Sequence, residues 1–372
     1  MTMKDLYSSV DTPALLVDRA IVLRNIDNMQ KRADRAGVAL RPHTKTHRTP
    51  AIAAMQVKAG AQGITVAKLG EAEVMAENGM DDIFIANEIY GDLKFARLRN
   101  LAAKTRLSVG VDNREQVTAI SRFFEGAREP ANVLIEVETG EVRSGMLPGP
   151  ELVELAKFIA ATPNVRLKGI FSHEGHTYGA EDREQCAAFF RKAQEETLGA
   201  AEMIRAAGVP VETVSIGATP SLLVGGDILP GVTEIRPGTY VFMDAAQGAA
   251  VGSYDTCAAT VLATVMSKPT AERVVLDAGV KALTAFTRDT GICRAPGYGL
   301  IKGLGGIRLG NLYDEHGLVY GREANERLSL GDRVEIIPNH ICPTCNLYDR
   351  MYLVEDGRVV DELPILCRGK SQ

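Results

Sequence analysis

Short apolar runs rich in β-branched residues alternate with longer segments whose apolar residues recur at helical spacing along the first two-thirds of the chain. The short runs predict eight strands, at residues 38–42, 63–66, 82–86, 107–111, 133–138, 167–172, 211–216 and 233–236. Helical patterns lie between most of them, such as those at 51–59, 69–78, 114–124, 150–160 and 182–207. Strands that alternate with helices favour an α/β fold with a parallel sheet, closed as a TIM-like (β/α)8 barrel. A doubly wound open sheet is the alternative.

The pattern changes after about residue 244, where helix-length periodicity disappears. Strands are predicted at 258–267, 273–277, 333–338 and 351–354, with Gly-rich turns between them. An early strand at 14–17 precedes the first helix, at 20–36, and fits either part of the fold. We therefore expect a barrel domain at 19–244 and a β-rich domain formed by 1–18 together with the C-terminal 245–372.

The composition is that of a globular protein and argues against several classes of partner. Hydrophobic residues make up 45% of the 372 residues and charged residues 24%, which supplies enough apolar material for a folded core. The net charge of −5, the absence of Trp and the lack of a Lys/Arg run argue against nucleic acid. Neither a membrane span nor a signal-peptide core is recognisable, so the expected location is the cytoplasm.

The segment Arg41-Pro-His43-Thr-Lys45-Thr-His47 is the strongest local signal for chemistry. Its four basic side chains share one face if the strand continues through them, because strand side chains alternate. Mutual repulsion would then lower the pKa of Lys45 and favour the neutral amine that Schiff-base chemistry requires. The end of a barrel strand is where catalytic groups collect. The alternative is a solvated, basic strand end.

Two further loops predict a phosphate site. Gly217-Ala-Thr219 follows the seventh strand, and Arg236-Pro-Gly238-Thr239 follows the eighth. Barrels commonly bind phosphate with the loops after these two strands, and small or hydroxyl-bearing residues let backbone N–H groups approach an anion. The alternative is a pair of ordinary Gly/Pro turns.

The sequence Pro338-Asn-His340-Ile-Cys342-Pro-Thr-Cys345 suggests a metal site in the β-rich part. On an extended chain His340 and Cys342 face the same way, and imidazole plus thiolate suits zinc with positions left open for substrate. A redox or structural C-x-x-C pair and a buried cysteine in a turn are the alternatives. The other four cysteines are scattered, which indicates reduced thiols.

Three more residues after the predicted strands are candidates for the site. His173 and His176 follow the sixth strand, where either imidazole can shuttle a proton near neutral pH. Arg143 follows the fifth strand and suits a planar anion such as the cofactor phenolate or a substrate carboxylate. Ordinary loop histidines and a solvated arginine are the alternatives.

From Asp11 to Gly369 the chain resembles the D-threonine aldolase and D-serine dehydratase family of alanine-racemase-like, fold type III pyridoxal-phosphate enzymes. The resemblance implies a TIM-like barrel with a C-terminal β domain, and Lys45 as the residue that carries the cofactor. It further implies contacts to the cofactor from the following residues: Arg143, Tyr178, Gly217, Thr219, Arg236, Gly238 and Thr239. In this family Arg236 would face the pyridine nitrogen and leave it unprotonated.

The same resemblance implies His340 and Cys342 as ligands of a divalent metal. D-serine dehydratases carry His-x-Cys and bind zinc, whereas D-threonine aldolases have Asp in place of Cys342 and use harder metals, such as manganese or magnesium. The residues that follow, 343–347, are similar to those of the aldolases. The segment 173–179 is similar to that of the dehydratases, so the chain combines features of both groups.

The implied activity is retro-aldol cleavage of a D-β-hydroxy-α-amino acid to glycine and an aldehyde, assisted by pyridoxal phosphate and a metal. Three alternatives stay open: a dehydratase that yields a 2-oxo acid and ammonia, an amino-acid racemase, and a non-catalytic pyridoxal-phosphate carrier. A racemase needs no metal, and a carrier is typically a bare barrel. The resemblance also implies a homodimer.

Overall fold

The computed structural model describes residues 3–372. Strand β1 (Ala14–Asp18) and helix α1 (Arg19–Ala36) precede the barrel strands in the sequence. Eight parallel strands follow: β2 (Ala39–Leu40), β3 (Ile64–Val66), β4 (Asp82–Glu88), β5 (Arg106–Val111), β6 (Ala131–Val137), β7 (Val165–Ser172), β8 (Thr213–Ile216) and β9 (Glu234–Ile235). Each corresponds to one of the strands predicted from the sequence, although β2 and β9 are only two residues long.

These strands close into a barrel. Their order is β2-β9-β8-β7-β6-β5-β4-β3, with every neighbouring pair parallel. The two ends of this path are joined by a parallel bridge between His43 and Thr65, and Gln62 N donates to Leu40 O at 2.9 Å. The predicted TIM-like barrel is therefore confirmed, and the open sheet is excluded.

The barrel strands are connected by helices: α2 (Pro50–Lys58), α3 (Leu69–Glu77), α4 (Asp92–Ala102), α5 (Arg114–Phe123), α6 (Pro150–Ala161), α7 (Arg183–Ala206) and α8 (Thr219–Val224). Side-chain caps begin two of them. Asn113 accepts from Gln116 N ahead of α5, and Asp182 accepts from Gln185 N ahead of α7, both at 2.8 Å. Inside the barrel, Phe84, Leu134 and Phe171 form a buried apolar cluster.

The rest of the chain builds a second sheet. Its strands are β10 (Ala259–Thr270), β11 (Arg273–Leu276), β12 (Leu300–Ile301), β13 (Leu309–Leu312), β14 (Gly317–Tyr320), β15 (Arg333–Ile337), β16 (Arg350–Glu355) and β17 (Arg358–Pro364). The order is β13-β14-β11-β10-β1-β16-β17, and β15 pairs with β10 and β12. Strand β1, which fitted either part from sequence, pairs antiparallel with β10 and parallel with β16.

Four short helices interrupt this sheet region: α9 (Ala245–Val251), α10 (Val280–Leu283), α11 (Arg322–Arg327) and α12 (Ile341–Cys345). They are too short for the periodicity on which the sequence prediction relied, which is why it missed them.

The chain divides into two compact units. The β-rich unit contains the described residues up to Ile26, Thr46–Thr49 and Thr239–Arg368, and the barrel unit contains Asp27–Lys45, Pro50–Gly238 and Gly369–Gln372. A boundary at residue 244 stays a prediction. Within residues 3–372, every helix is too short or too polar to cross a lipid bilayer.

Candidate active site

A cavity of about 360 Å³ lies at the carboxyl ends of the barrel strands, where catalytic groups of such barrels collect. Its wall consists of His43, Lys45, Ala67, Ala86, Asn87, Glu88, Glu136, Arg143, Ser144, Phe171, His173, Gly217 and Arg236. The volume suits a small molecule. Five residues predicted from the sequence meet in this wall: Lys45, Arg143, His173, Gly217 and Arg236.

A larger cavity, of about 990 Å³, opens near the amino ends of the same strands. Its wall includes Asp82, Arg106 and Glu234, which begin strands β4, β5 and β9. This end of a parallel barrel usually serves stability rather than catalysis. We therefore place the candidate site in the smaller cavity.

The basic segment does not present its four side chains together. Strand β2 ends at Leu40 and residues 44–47 form a turn, so the expected alternation stops before Lys45. Arg41 is neutralised by ion pairs of 2.6 Å with Asp82 and with Glu234. The prediction of one shared basic face is therefore wrong.

The other members of the segment also separate. His47 belongs to the β-rich unit, where its ring lies edge-on to Phe242 with 6.1 Å between the ring centroids. His43 and Lys45 remain on the cavity wall. Burial, followed by the charges of Lys45 and Arg236, holds the pKa of His43 well below its usual range, so its imidazole is neutral at neutral pH.

Arg236 is a buried cation in the wall of the cavity. Its guanidinium donates to Ser215 Oγ at 2.5 Å and to Ser172 O at 2.6 Å. It also lies over the rings of Phe84 and Phe171, at 5.7 and 5.2 Å from their centroids. Burial lowers the pKa of Arg236, yet an arginine stays protonated in proteins. The cavity therefore carries a permanent positive charge.

Gly217 brings the backbone after β8 close to the backbone after β9. Its φ is +155°, and a Cβ at this position would lie 2.7 Å from Arg236 N, so no larger residue fits without a shift. The Glu174 carboxylate holds this loop by accepting from Gly217 N at 3.2 Å and from Ser221 Oγ at 3.4 Å. Burial raises the pKa of Glu174 to about 7, against the opposing charge of Arg236.

Arg143 is held at the cavity by carboxylates. Its guanidinium lies 3.3 Å from Glu136 Oε1 and 3.3 Å from Glu141 Oε2. Glu136 is 4% exposed and also accepts from Ser144 Oγ at 2.9 Å. Burial raises the pKa of Glu88 to about 8, and the neighbouring carboxyl group of Glu136 adds to this effect.

The two candidate histidines occupy different environments. His173 lines the cavity, and its Nδ1 lies 2.8 Å from Glu141 Oε2. Burial lowers the pKa of His173 despite this contact, so the ring is largely neutral at neutral pH. His176 packs against Phe189 with 5.2 Å between ring centroids, and its Nδ1 is buried without a hydrogen-bond partner in the part of the chain that the structure describes. His176 is not part of the cavity wall, which favours His173 as the proton acceptor.

The other predicted cofactor contacts lie near this wall in the sequence but do not form it. Tyr178 lies half-buried in a 3-10 turn, Gly175–Gly179, and Thr219 is buried at the first position of α8. Gly238 follows Pro237, whose carbonyl accepts from His43 N at 2.9 Å. Thr239 belongs to the β-rich unit.

The predicted metal ligands lie at the start of α12 in the β-rich unit. His340 has an extended backbone but Cys342 lies inside the helix, so the premise of a continuous extended chain is wrong. Cys342 Sγ lies 3.3 Å from Thr46 Oγ1 and 3.7 Å from Thr239 Oγ1. Across residues 3–372 no group of three or more His, Cys, Asp or Glu side chains is arranged to bind a metal.

Asp244 is a buried carboxyl beside these two side chains. It caps α9 by accepting from Gln247 N at 2.9 Å and also accepts from Ile341 N at 3.1 Å. Burial raises the pKa of Asp244 to about 6, an effect that the nearby His340 opposes and Cys342 reinforces. Asp244 thus fixes the start of α12 relative to α9.

Sequence reasoning missed four carboxyl groups of these sites: Glu88, Glu136, Glu174 and Asp244. One signal was available. Glu136 is an acidic residue inside the otherwise apolar strand 131–137, and a charge in a buried strand is rare unless it is paired. Glu88 and Glu174 lie at or beyond strand ends, where acidic residues are common, so no sequence signal distinguishes them from ordinary loop acids.

Comparisons with known proteins agree with this architecture. Residues 17–246 match the family model described as alanine racemase, N-terminal domain, and residues 258–354 match a serine dehydratase domain. A D-threonine aldolase of Arthrobacter sp. is 37% identical over 374 residues, which cover 99% of this chain and 95% of that protein.

Solved structures extend the likeness to three dimensions. A crystal structure of D-threonine aldolase from Filomicrobium marinum has a TM-score of 0.89 at 33% identity and covers 98% of this chain and 97% of that one. A mutant of D-threo-3-hydroxyaspartate dehydratase in its metal-free form has a TM-score of 0.87 at 31% identity, with 98% of both chains covered.

Proposed function

This chain belongs to the family of D-threonine aldolases and D-serine dehydratases with an alanine-racemase-type N-terminal domain, and from this we propose that it is a pyridoxal-phosphate-dependent, metal-assisted lyase of D-β-hydroxy-α-amino acids. The proposed reaction cleaves the Cα–Cβ bond to give glycine and an aldehyde. The observation that carries the proposal is the position of Lys45 in one cavity with Arg143, His173 and Arg236.

The residues of the cavity fit pyridoxal phosphate. The wall contains a single lysine, Lys45, to bind the aldehyde, and two arginines for the anionic groups. Gly217 lets the loop after β8 pack directly against the backbone of Arg236, since a Cβ there would lie 2.7 Å from Arg236 N. Glu88 Oε1 is buried and has no hydrogen-bond partner among the described residues, which leaves it for a ligand. Bound there, the cofactor supplies an electron-accepting ring for cleavage at Cα.

We also propose Tyr178, Thr219, Gly238 and Thr239 as cofactor contacts, on the family resemblance. Thr219 and Thr239 carry hydroxyl donors, and Gly238 has no side chain to block a backbone approach.

His173 is the proposed base. Its pKa is depressed by burial, so its imidazole is free to accept the proton of the substrate hydroxyl at neutral pH. Glu141 Oε2 lies 2.8 Å from His173 Nδ1 and would stabilise the imidazolium that forms when the ring takes up the proton. His176 remains the second candidate.

His340 and Cys342 are the proposed ligands of a divalent metal. One imidazole and one thiol suit zinc better than manganese or magnesium, which prefer oxygen. With two protein ligands the ion would keep positions for a substrate oxygen, and its chemistry would be to lower the pKa of the β-hydroxyl. The similar D-threo-3-hydroxyaspartate dehydratase has been solved in a form described as metal-free, which supports the proposal of a metal at this position.

A dehydratase is the second candidate function. Cys342 favours it, because the resemblance implies His-x-Cys in the dehydratases and Asp at this position in the aldolases. In that reaction Lys45 would accept the Cα proton and the products would be a 2-oxo acid and ammonia.

Product analysis on two substrates tests these proposals. The purified protein, supplied with pyridoxal phosphate and Zn²⁺, is given D-threonine or D-serine. Glycine and acetaldehyde from D-threonine support the aldolase, and pyruvate and ammonia from D-serine support the dehydratase. EDTA-resistant racemisation would establish a racemase instead, and bound cofactor without any turnover would establish a carrier.

Two variants tie the activity to the proposed residues. Lys45→Ala is expected to lose the yellow colour of the bound cofactor and to lower turnover by at least 10³-fold, on the order expected for a covalent catalyst. Cys342→Ser is expected to lower the zinc content and the activity while the colour stays. Lys58→Ala, on the exposed end of α2, is the matched control. Undiminished turnover by Lys45→Ala would overturn the proposed function.

We further propose a homodimer in the cytoplasm with a small D-amino acid as substrate.

A further inference from the structure

We propose that Ser215 and Glu234 are positioning residues of the candidate site: Ser215 links the guanidinium of Arg236 to the carboxylate of Glu234, which holds and balances this cation from outside the cavity. The inference rests on the proposed function, because it concerns the cation that the same cavity offers to an anionic cofactor. It goes beyond the family resemblance, which implies a role for Arg236 but none for Ser215 or Glu234.

Two hydrogen bonds run through the hydroxyl group of Ser215. Its Oγ accepts from Arg236 Nη1 at 2.5 Å and donates to Glu234 Oε1 at 2.5 Å. A guanidinium can only donate, and a hydroxyl group has one proton to give and lone pairs with which to accept, so the direction of both bonds is fixed. Ser215 therefore connects a cation that donates with a carboxylate that accepts.

Strand register brings the three side chains together. Ser215 of β8 and Glu234 of β9 are paired in register, and Glu234 and Arg236 are two positions apart and so share a face. All three are buried, with exposed fractions of 0%, 5% and 5%. The interior of such a barrel is normally filled by branched apolar side chains, and a buried ion pair is a weak source of stability. A role at the site accounts for charges that the fold does not need.

Glu234 balances Arg236 without contacting it. Within residues 3–372 Arg236 forms no direct ion pair, and its guanidinium donates to Ser215 Oγ and Ser172 O. Since a guanidinium has five N–H donors, three remain for a ligand, whereas a carboxylate in direct bidentate contact would occupy two of them. The charge of Glu234 still acts through Ser215, because it is the largest charge that opposes the lowering of the Arg236 pKa by burial.

The second oxygen of Glu234 is also occupied. Glu234 Oε2 accepts from Arg41 Nε at 2.6 Å, and Arg41 Nη1 in turn donates to Asp82 Oδ1 at 2.6 Å. The carboxylate of Glu234 is therefore held at both oxygens and is not free to turn toward Arg236. Positive and negative groups alternate along this chain of contacts, in which Asp82 is the member most remote from Arg236.

The test separates the two ends of this chain of contacts by measuring binding. Full-length protein freed of cofactor is titrated by calorimetry with pyridoxine 5′-phosphate, which has the ring and the phosphate but no aldehyde to react with Lys45. Glu234→Gln and Asp82→Asn each take one carboxylate from Arg41, but only Glu234→Gln also takes one from Arg236. Ser215→Ala breaks the link and leaves both charges, and Ser267→Ala, in strand β10, is its matched control.

Ser215→Ala and Glu234→Gln should each weaken binding about tenfold, the scale of one hydrogen bond to a charged group. Asp82→Asn and Ser267→Ala should bind as the wild type does. The double variant of Ser215→Ala and Glu234→Gln should bind no more weakly than the weaker single variant, because both changes break the same link.

A second readout is the visible absorption of bound pyridoxal phosphate. The orientation and charge of a cation on the cavity wall tune the electronic states of the cofactor ring. The absorption maximum should therefore move in Ser215→Ala and in Glu234→Gln and keep its wild-type position in Asp82→Asn.

Equal losses of affinity in Glu234→Gln and Asp82→Asn, or additive losses in the double variant, would indicate a general loosening of the barrel and overturn the inference. Wild-type affinity or an unmoved absorption maximum in Ser215→Ala would overturn it as well, whether or not Glu234→Gln folds. Failure of the wild type to bind either pyridoxine 5′-phosphate or pyridoxal phosphate would instead overturn the proposed function.

Discussion

Glu174 shows how one buried side chain can set both the shape of the site and the pH dependence of the fold. Its carboxylate joins the loop after β7 to the loop after β8 through Gly217 N and Ser221 Oγ. Burial nevertheless raises its pKa to about 7, above the ordinary value of 4.5. Folding therefore favours the protonated acid, and the hydrogen bonds only partly offset the cost of burying its charge.

The sign of the effect on stability follows from linkage. Between about pH 4.5 and 7 the folded protein holds a proton on Glu174 that the unfolded chain has lost, so this residue makes the free energy of unfolding fall as pH rises. We expect Glu174→Gln to remove that fall. Relative to the wild type, the variant should gain on the order of 3 kcal/mol between pH 5 and 8.

Urea unfolding followed by circular dichroism at several pH values checks this expectation. Glu154→Gln, which lies on the protein surface, should show no such trend. If Glu174→Gln and the wild type keep a constant difference across the range, the carboxyl is ionised throughout and its assigned role in the pH dependence is wrong.

At the level of single residues, the sequence predicted the cations of the site better than its acids. Lys45, Arg143 and Arg236 each stand in a motif next to a strand end, and all three meet on the cavity wall. Glu88 has no such motif. It lines the cavity together with Glu136, 48 positions later, and which residues meet at that separation is set by strand order rather than by local sequence.

At the level of elements, the packing of β7 against β8 determines where the loop that carries His173 begins. Gly169 pairs with Thr213, and a Cβ at Gly169 would lie 2.0 Å from Thr213 O. No rotamer change can relieve a clash with backbone, so the two strands would have to separate. Gly199, in the middle of α7, has nothing within 4 Å of the corresponding position.

This contrast gives a matched pair of Gly→Ala variants. Gly169→Ala should destabilise the protein by roughly 3 kcal/mol or more, and it should lower activity because β7 ends directly before His173. Gly199→Ala should instead stabilise the protein by about 0.5–1 kcal/mol through helix propensity alone. Thermal unfolding of the two variants beside the wild type provides the measurement, and equal effects of both substitutions would contradict the strand contact.

The elements themselves were predictable to the extent that they are long and periodic. The barrel strands and the helix at 183–206 carry clear patterns, and all were found. Strands β12, β13, β14 and β17 were missed, because a strand of two to four residues, or an exposed seven-residue edge strand, gives little hydrophobic signal. The helical turn at 341–345 was read as extended because Pro343 and two cysteines are unusual in helices.

At the level of the whole molecule, apolar side chains are exposed beside the candidate site. Val142 and Leu147 are 88% and 73% exposed on the loop after β6, and Tyr90 and Leu93 are 64% and 85% exposed after β4. Single exposed apolar residues are ordinary, but several at one end of a barrel are typical of an interface. The segments that carry these side chains are therefore the surface that we expect to be covered in the proposed homodimer.

Replacement of Val142 and Leu147 together by Asp should shift the protein from dimer to monomer in sedimentation velocity at micromolar concentration. Asp is suited to position 142, whose φ is +56°, because it tolerates the left-handed region better than a β-branched residue, so the fold of the monomer should be preserved. Met203→Asp, 38% exposed on the outer helix α7, is the control and should stay dimeric. If the double variant sediments as the wild type does, these loops face solvent and the dimer must use another surface.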